Sequence, residues 1–130
     1  MTTYGHRQYR KNQVGSMDRG RQVVMLYEGA VNFLISALSN LEEGDEGVFN
    51  SLVNRAQNIL NELNSSLNME MGGEMAHNLR LLYVFMEDQL ILAKIRKDPK
   101  PVNEVIGMLS NINDAWRGVV LPNGPHSKGI

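Results

Sequence analysis

Glu74-Met-Ala-His77 places a carboxylate and an imidazole three residues apart, a spacing that puts both on one face of a helix. In di-metal carboxylate bundles a Glu-x-x-His pair binds metal only with a second such pair and a carboxylate from each of two further helices. The other histidines, His6 and His126, stand near the two ends of the chain, so the second pair is missing. His77 therefore reads as a surface histidine. Gly72-Gly73 precedes a helical pattern but lacks the Lys-Ser/Thr, or the third glycine and preceding strand, that make a phosphate-binding loop. No Ser/His/Asp arrangement can be built. The chain has no cysteine, which excludes disulfides, a thiol nucleophile and thiolate metal sites. The residues point away from an enzyme, and no cofactor or metal is expected.

The elements that would carry these residues are helices. An N-terminal arm or short capping helix over 1–15 leads into four amphipathic patterns, expected near 18–41, 46–67, 74–97 and 101–118, followed by a turn-rich tail over 120–130. Ser16 or Asp18 is a candidate cap for the first helix. Gly44 is placed to end it and Asp45 to cap the second. Gly72-Gly73 and Asp98-Pro99-Lys100-Pro101 mark the next breaks, with either proline suited to a first helical position. Gly29 and Gly107 fall inside helices, where close approach of another helix is the simplest reason for a glycine. No segment reads as a strand. Four long helices joined by short loops favour an all-α, antiparallel up-down bundle occupying 16–119 as one domain.

The 130 residues are 42% hydrophobic and 21% charged, ordinary for a globular chain. The longest apolar run is short for a membrane span, and no signal sequence opens the chain, so a cytoplasmic protein without stable membrane insertion is expected. The net charge of −1 is unevenly placed. Residues 1–21 hold Arg7, Arg10, Lys11, Arg19 and Arg21 against Asp18 alone, a balance of +4, leaving −5 for the rest. With no clustered cations elsewhere and no aromatic platform, nucleic-acid binding is not expected.

One bundle core does not account for all the apolar residues. On the third helix Leu79, Leu82, Tyr83, Met86, Leu90 and Ala93 form a core-facing stripe. Leu81, Val84, Phe85, Ile91, Leu92 and Ile95 fall off it, beside Arg80, Glu87, Asp88 and Lys94. Val24, Val31 and Ile35 on the first helix and Val53 and Leu60 on the second are a similar surplus. Part of it widens the core-facing arc. The remainder would be exposed grooves suited to a partner helix. Met25, Met86 and Met108 fit core positions, while Met69, Met71 and Met75 cluster about the Gly-Gly break as core or loop filler, or as an adaptable binding edge.

Five segments resemble the flagellar export chaperone family FliS: YRKNQV at Tyr9–Val14, MLYEGA at Met25–Ala30, RAQNIL at Arg55–Leu60, GGEMAHNLRLLYVFM at Gly72–Met86 and DAW at Asp114–Trp116. They run in order over nearly all of the folded chain. The resemblance implies a small cytosolic helical bundle that binds the disordered C-terminal segment of flagellin in apolar grooves. Binding would block premature polymerisation and keep flagellin competent for the type III flagellar export apparatus. It also implies that Tyr9 and Val14, in the N-terminal arm, form a lid over one groove when flagellin is absent. The groove residues expected on this basis are Leu60, Leu81, Val84, Phe85, Leu92, Ile95, Val31 and Ile35, in a free protein that is a monomer or weak dimer. The sequence departs from the family where Asp18-Arg19 replaces a small residue and proline, where Gln22 replaces an aliphatic residue, and where Asp88-Gln89 replaces an Arg-Arg pair. The alternatives are a helical adaptor that buries the surplus surface by self-association, or a metal-dependent bundle using Glu74 and His77.

Overall fold

Each break in the helical pattern has a local cause. In the computed structural model, which describes the backbone over 2–120 and the side chains from Arg19 onward except Glu70, α1 spans Thr2–Glu42 and α2 spans Glu46–Ser65. Gly44, with φ of 87°, turns the chain out of α1, and the Asp45 carboxylate accepts a hydrogen bond from the Val48 N–H to cap α2. α3 spans Met69–Arg96, capped by Asn68, and α4 spans Pro99–Val120. Lys97 ends α3 in the left-handed conformation at φ 52°. Asp98 accepts from the Lys100 N–H, so Pro99 takes the first helical position, where its missing N–H costs nothing.

Two boundaries differ from the sequence expectation. α1 begins at Thr2 rather than near Asp18, so the expected arm forms its first turns. The chain's four prolines all lie at or after Pro99, and nothing stronger than a glycine interrupts residues 2–20. α3 is bent at Gly73, whose φ of 55° and ψ of −132° only glycine adopts without strain, so the straight part of the helix starts at Glu74 as expected. Gly73→Ala should therefore lower stability by about 1–2 kcal/mol in urea denaturation, although a methyl there would meet no neighbouring atom. Residues 121–130, the expected tail, lie outside the described residues.

Short loops make successive helices antiparallel, and the four pack as a ring: α1 against α2 and α4, and α3 against α2 and α4. Tyr27, Ala30, Leu34 and Ala37 of α1 and Phe49, Val53, Ala56, Leu60 and Leu63 of α2 fill one half of the core. Tyr83, Met86, Leu90 and Ala93 of α3 meet Val102, Val105 and Leu109 of α4 in the other. Trp116 packs partly against this core, and Arg55 lies 5.7 Å from the Phe33 ring centre, tying α2 to α1. The stretch Arg19–Glu42 is apolar and long enough to cross a bilayer, but its Tyr27, Ala30, Leu34 and Ala37 are enclosed by the bundle.

The diagonal is spanned at the centre, where the hydroxyls of Tyr27 on α1 and Tyr83 on α3 meet at 2.6 Å. Burial pushes both phenols above the ordinary tyrosine value of 10.0. A group whose folded pKa is raised contributes stability that is complete below its unfolded pKa and is lost as pH climbs toward the folded one. Unfolding free energy should thus fall above about pH 10, by up to about 1.4 kcal/mol per pH unit for each such phenol. Denaturation curves across that range should show a flatter alkaline fall for Tyr83→Phe.

Several core assignments are corrected by this packing. Val24 and Val53 are buried, not surplus. Leu82, expected in the core, is 37% exposed because it flanks the arc centred on Tyr83, Met86 and Leu90. Met25, two residues before Tyr27 and so turned almost to the opposite face, is 67% exposed. A methyl added at Gly29 would meet the Ile59 side chain at an ordinary 3.5 Å, and one added at Gly107 would meet open space, so no helix of the bundle approaches Gly107 closely.

Candidate functional site

α3 is apolar on two opposite sides. Each residue turns a helix by about 100°, so Tyr83, Met86, Leu90 and Ala93 share one face, and Leu81, Val84, Phe85, Ile91, Leu92 and Ile95 share the reverse. The first face is enclosed by the bundle. On the second, Leu81 is 61% exposed, Phe85 42% and Ile95 72%, with Val84 and Ile91 also exposed and Leu92 half-buried. A row of large apolar side chains along several helical turns is more than a soluble monomer ordinarily leaves in water. Nothing within the described residues covers it, because α3 packs along α2 and α4, meets α1 through Tyr83 on its inner side, and turns this face outward.

The edge toward α2 is polar and fixed. Arg80 donates to Asn64, Lys94 to Asn54 and Lys97 to Asn50, at 3.1, 2.6 and 3.2 Å, so α3 cations are held along α2 by neutral amides. Between them Glu87 is half-buried, and burial, with the neighbouring Asp88 charge, pushes its carboxyl above the ordinary value.

The expected groove residues do not form one surface. Leu81, Val84, Phe85, Leu92 and Ile95 lie together on the outer face of α3. Val31 and Ile35 belong to α1, diagonally across the ring. Ile35 is exposed and Val31 is half-buried against the core. Val31 also lines an open hollow of about 380 Å³ between α1 and α4, with Glu28, Asn32, Ser110, Asn113 and Arg117. The Arg117 guanidinium pairs with the Glu28 carboxylate at its rim. Leu60 is corrected outright: at 0% exposure it is part of the core and offers no wall to a ligand, because α2 turns it inward with Val53, Ala56 and Leu63. Met25, absent from the expected set, sits in a second hollow beside the first, with Arg21, Val24, Glu28 and Arg117. Its phase relative to Tyr27 was the available signal.

Tyr9 and Val14 fall where only the backbone is described, so the expected lid lies outside the described side chains. Glu74 and His77 are both exposed at the start of the straight part of α3. Among the described residues, no three His, Asp or Glu side chains converge in a way that could hold a metal ion.

Comparison with known proteins places this bundle. The family model described as flagellar protein FliS matches residues 2–123. The flagellar secretion chaperone FliS of Salmonella typhimurium is 40% identical over 98 residues, covering 75% of this chain and 73% of that protein. Those of Bacillus subtilis and Vibrio cholerae are 31% and 33% identical, covering 86% and 81% of this chain and 83% and 77% of their own lengths. These relatives carry the name of a chaperone, in keeping with the non-enzymatic reading of the sequence. A helical bundle with an uncovered apolar helix face, matched over nearly its whole length, belongs to the FliS family of flagellar proteins.

Proposed function

We propose that this chain is a cytosolic flagellar secretion chaperone that holds the C-terminal segment of flagellin against the outer face of α3, with Val31 and Ile35 of α1 touching a separate part of the same segment. The observation that carries the reading is the second apolar face of α3, which the bundle leaves open. A segment disordered before binding must cover a large area to offset the cost of ordering it. Two surfaces on diagonally opposed helices suit a chain that wraps the bundle better than one compact ligand. Covering the apolar parts of flagellin in this way would stop it polymerising and leave it unfolded for the export apparatus. Co-purification tests the reading: full-length flagellin should be retained by the chain, and flagellin lacking its C-terminal segment should not. Equal retention of both would reject it.

The N-terminal residues act in this reading as a competing lid, with Tyr9 and Val14 as its apolar contacts. A self-ligand lowers apparent affinity by the fraction of molecules it occupies. Deleting residues 1–14 should therefore tighten binding of the flagellin C-terminal segment in a titration; unchanged affinity together with normal secretion would leave the arm without this role.

A further inference from the structure

The outer face of α3 has a charge at its centre. Asp88 is exposed, and its helical neighbours three, four and seven residues away are Phe85, Val84 and Leu81 on one side and Ile91, Leu92 and Ile95 on the other. All six are apolar. Asp88 makes no ion pair among the described residues. Of the α3 cations, Arg80 and Lys94 are drawn to Asn64 and Asn54 on the α2 side, away from it, and Arg96, eight residues on, makes no ion pair with it. Any apolar segment laid along this face must strip water from the Asp88 carboxylate. An unpaired carboxylate removed from water is costly, whereas one meeting a cation with good geometry recovers much of that cost.

We propose that the segment docking on the outer face of α3 is an amphipathic helix with one lysine or arginine at the middle of its apolar stripe, paired with Asp88, so that this residue selects among segments of similar hydrophobicity. The inference rests on the docking face proposed above and adds the chemistry of its occupant. The same geometry disfavours a second copy of this chain as occupant. A two-fold pairing centred on the face would set two Asp88 carboxylates against each other.

The sign of one substitution decides the question. Asp88 is exposed, so Asp88→Asn and Asp88→Lys leave the free bundle intact, which thermal melting verifies. The full chain and each variant are titrated with the C-terminal segment of flagellin from the same organism. Asp88→Asn should weaken binding about tenfold or more, and Asp88→Lys further. Replacing the segment's basic residues with glutamate one at a time should identify one change that restores binding to Asp88→Lys. If no cation faces Asp88, removing its charge relieves an uncompensated desolvation, and Asp88→Asn should bind more tightly. Tighter or unchanged binding overturns the proposal. Phe85→Glu, measured alongside, separates the two failures. Weakened binding by Phe85→Glu with unchanged or tighter binding by Asp88→Asn rejects the pairing alone, and unchanged binding by both rejects the docking face with it.

Discussion

Phe85→Glu should abolish most flagellin binding while leaving the bundle folded. The ring is 42% exposed in the free protein and lies on the side of α3 away from the core. Exchanging it for a carboxylate removes contact area that the complex would bury and sets a charge into a desolvated interface. Full burial of a large apolar side chain is worth about 1.5–3 kcal/mol, so an affinity loss of about tenfold or more is expected before the charge is counted. The melting temperature should move little, because glutamate at an outward position keeps its water and is a good helix former. Calorimetric titration with the flagellin C-terminal segment, paired with a thermal melt, reads both quantities.

Leu90→Glu, five residues on, should do the reverse. Leu90 is fully buried among Tyr83, Met86 and Ala93 and the apolar residues of α4. Truncating such a leucine to alanine costs about 2–5 kcal/mol through lost transfer energy and the cavity left behind, and glutamate adds a carboxylate with no partner. That loss is a large part of the total stability of a small domain. The variant should be largely unfolded by circular dichroism at room temperature, with binding lost as a consequence. Leu82, which sequence periodicity assigns to the core, would be the wrong control. At 37% exposure its replacement should fall between these two outcomes.

The helix breaks were legible because each rests on local chemistry: Gly44 in a left-handed conformation, Asp45 on the Val48 N–H, Gly73 at the bend, Pro99 at a first helical position. The start of α1 was not, since no residue before Asp18 forbids a helix and capping signals at Ser16 and Asp18 do not compel one. Burial was legible only in part. Periodicity gives the direction a residue points, and how extensively the neighbouring helices pack against it decides how wide an arc is enclosed. α1 and α2 enclose Val24, Val53 and Leu60 in wide arcs, while the narrower arc of α3 leaves Leu82 half out. The outer face of α3 could be read because its residues stand opposite the core stripe rather than beside it. That Val31 and Ile35 belong to a different surface depends on the order of helices around the ring, which hydrophobic spacing does not encode.

The central claim is that flagellin covers the outer face of α3, and the absence of cysteine from the chain allows a direct test. Leu81→Cys and Ile95→Cys each introduce a single thiol at a position 61% and 72% exposed in the free protein. Both should react rapidly with a thiol-alkylating reagent when the chain is alone, and each should be slowed strongly in the presence of saturating flagellin C-terminal segment. If the complex forms and both thiols are still alkylated at their free rates, the segment binds elsewhere and the account is contradicted.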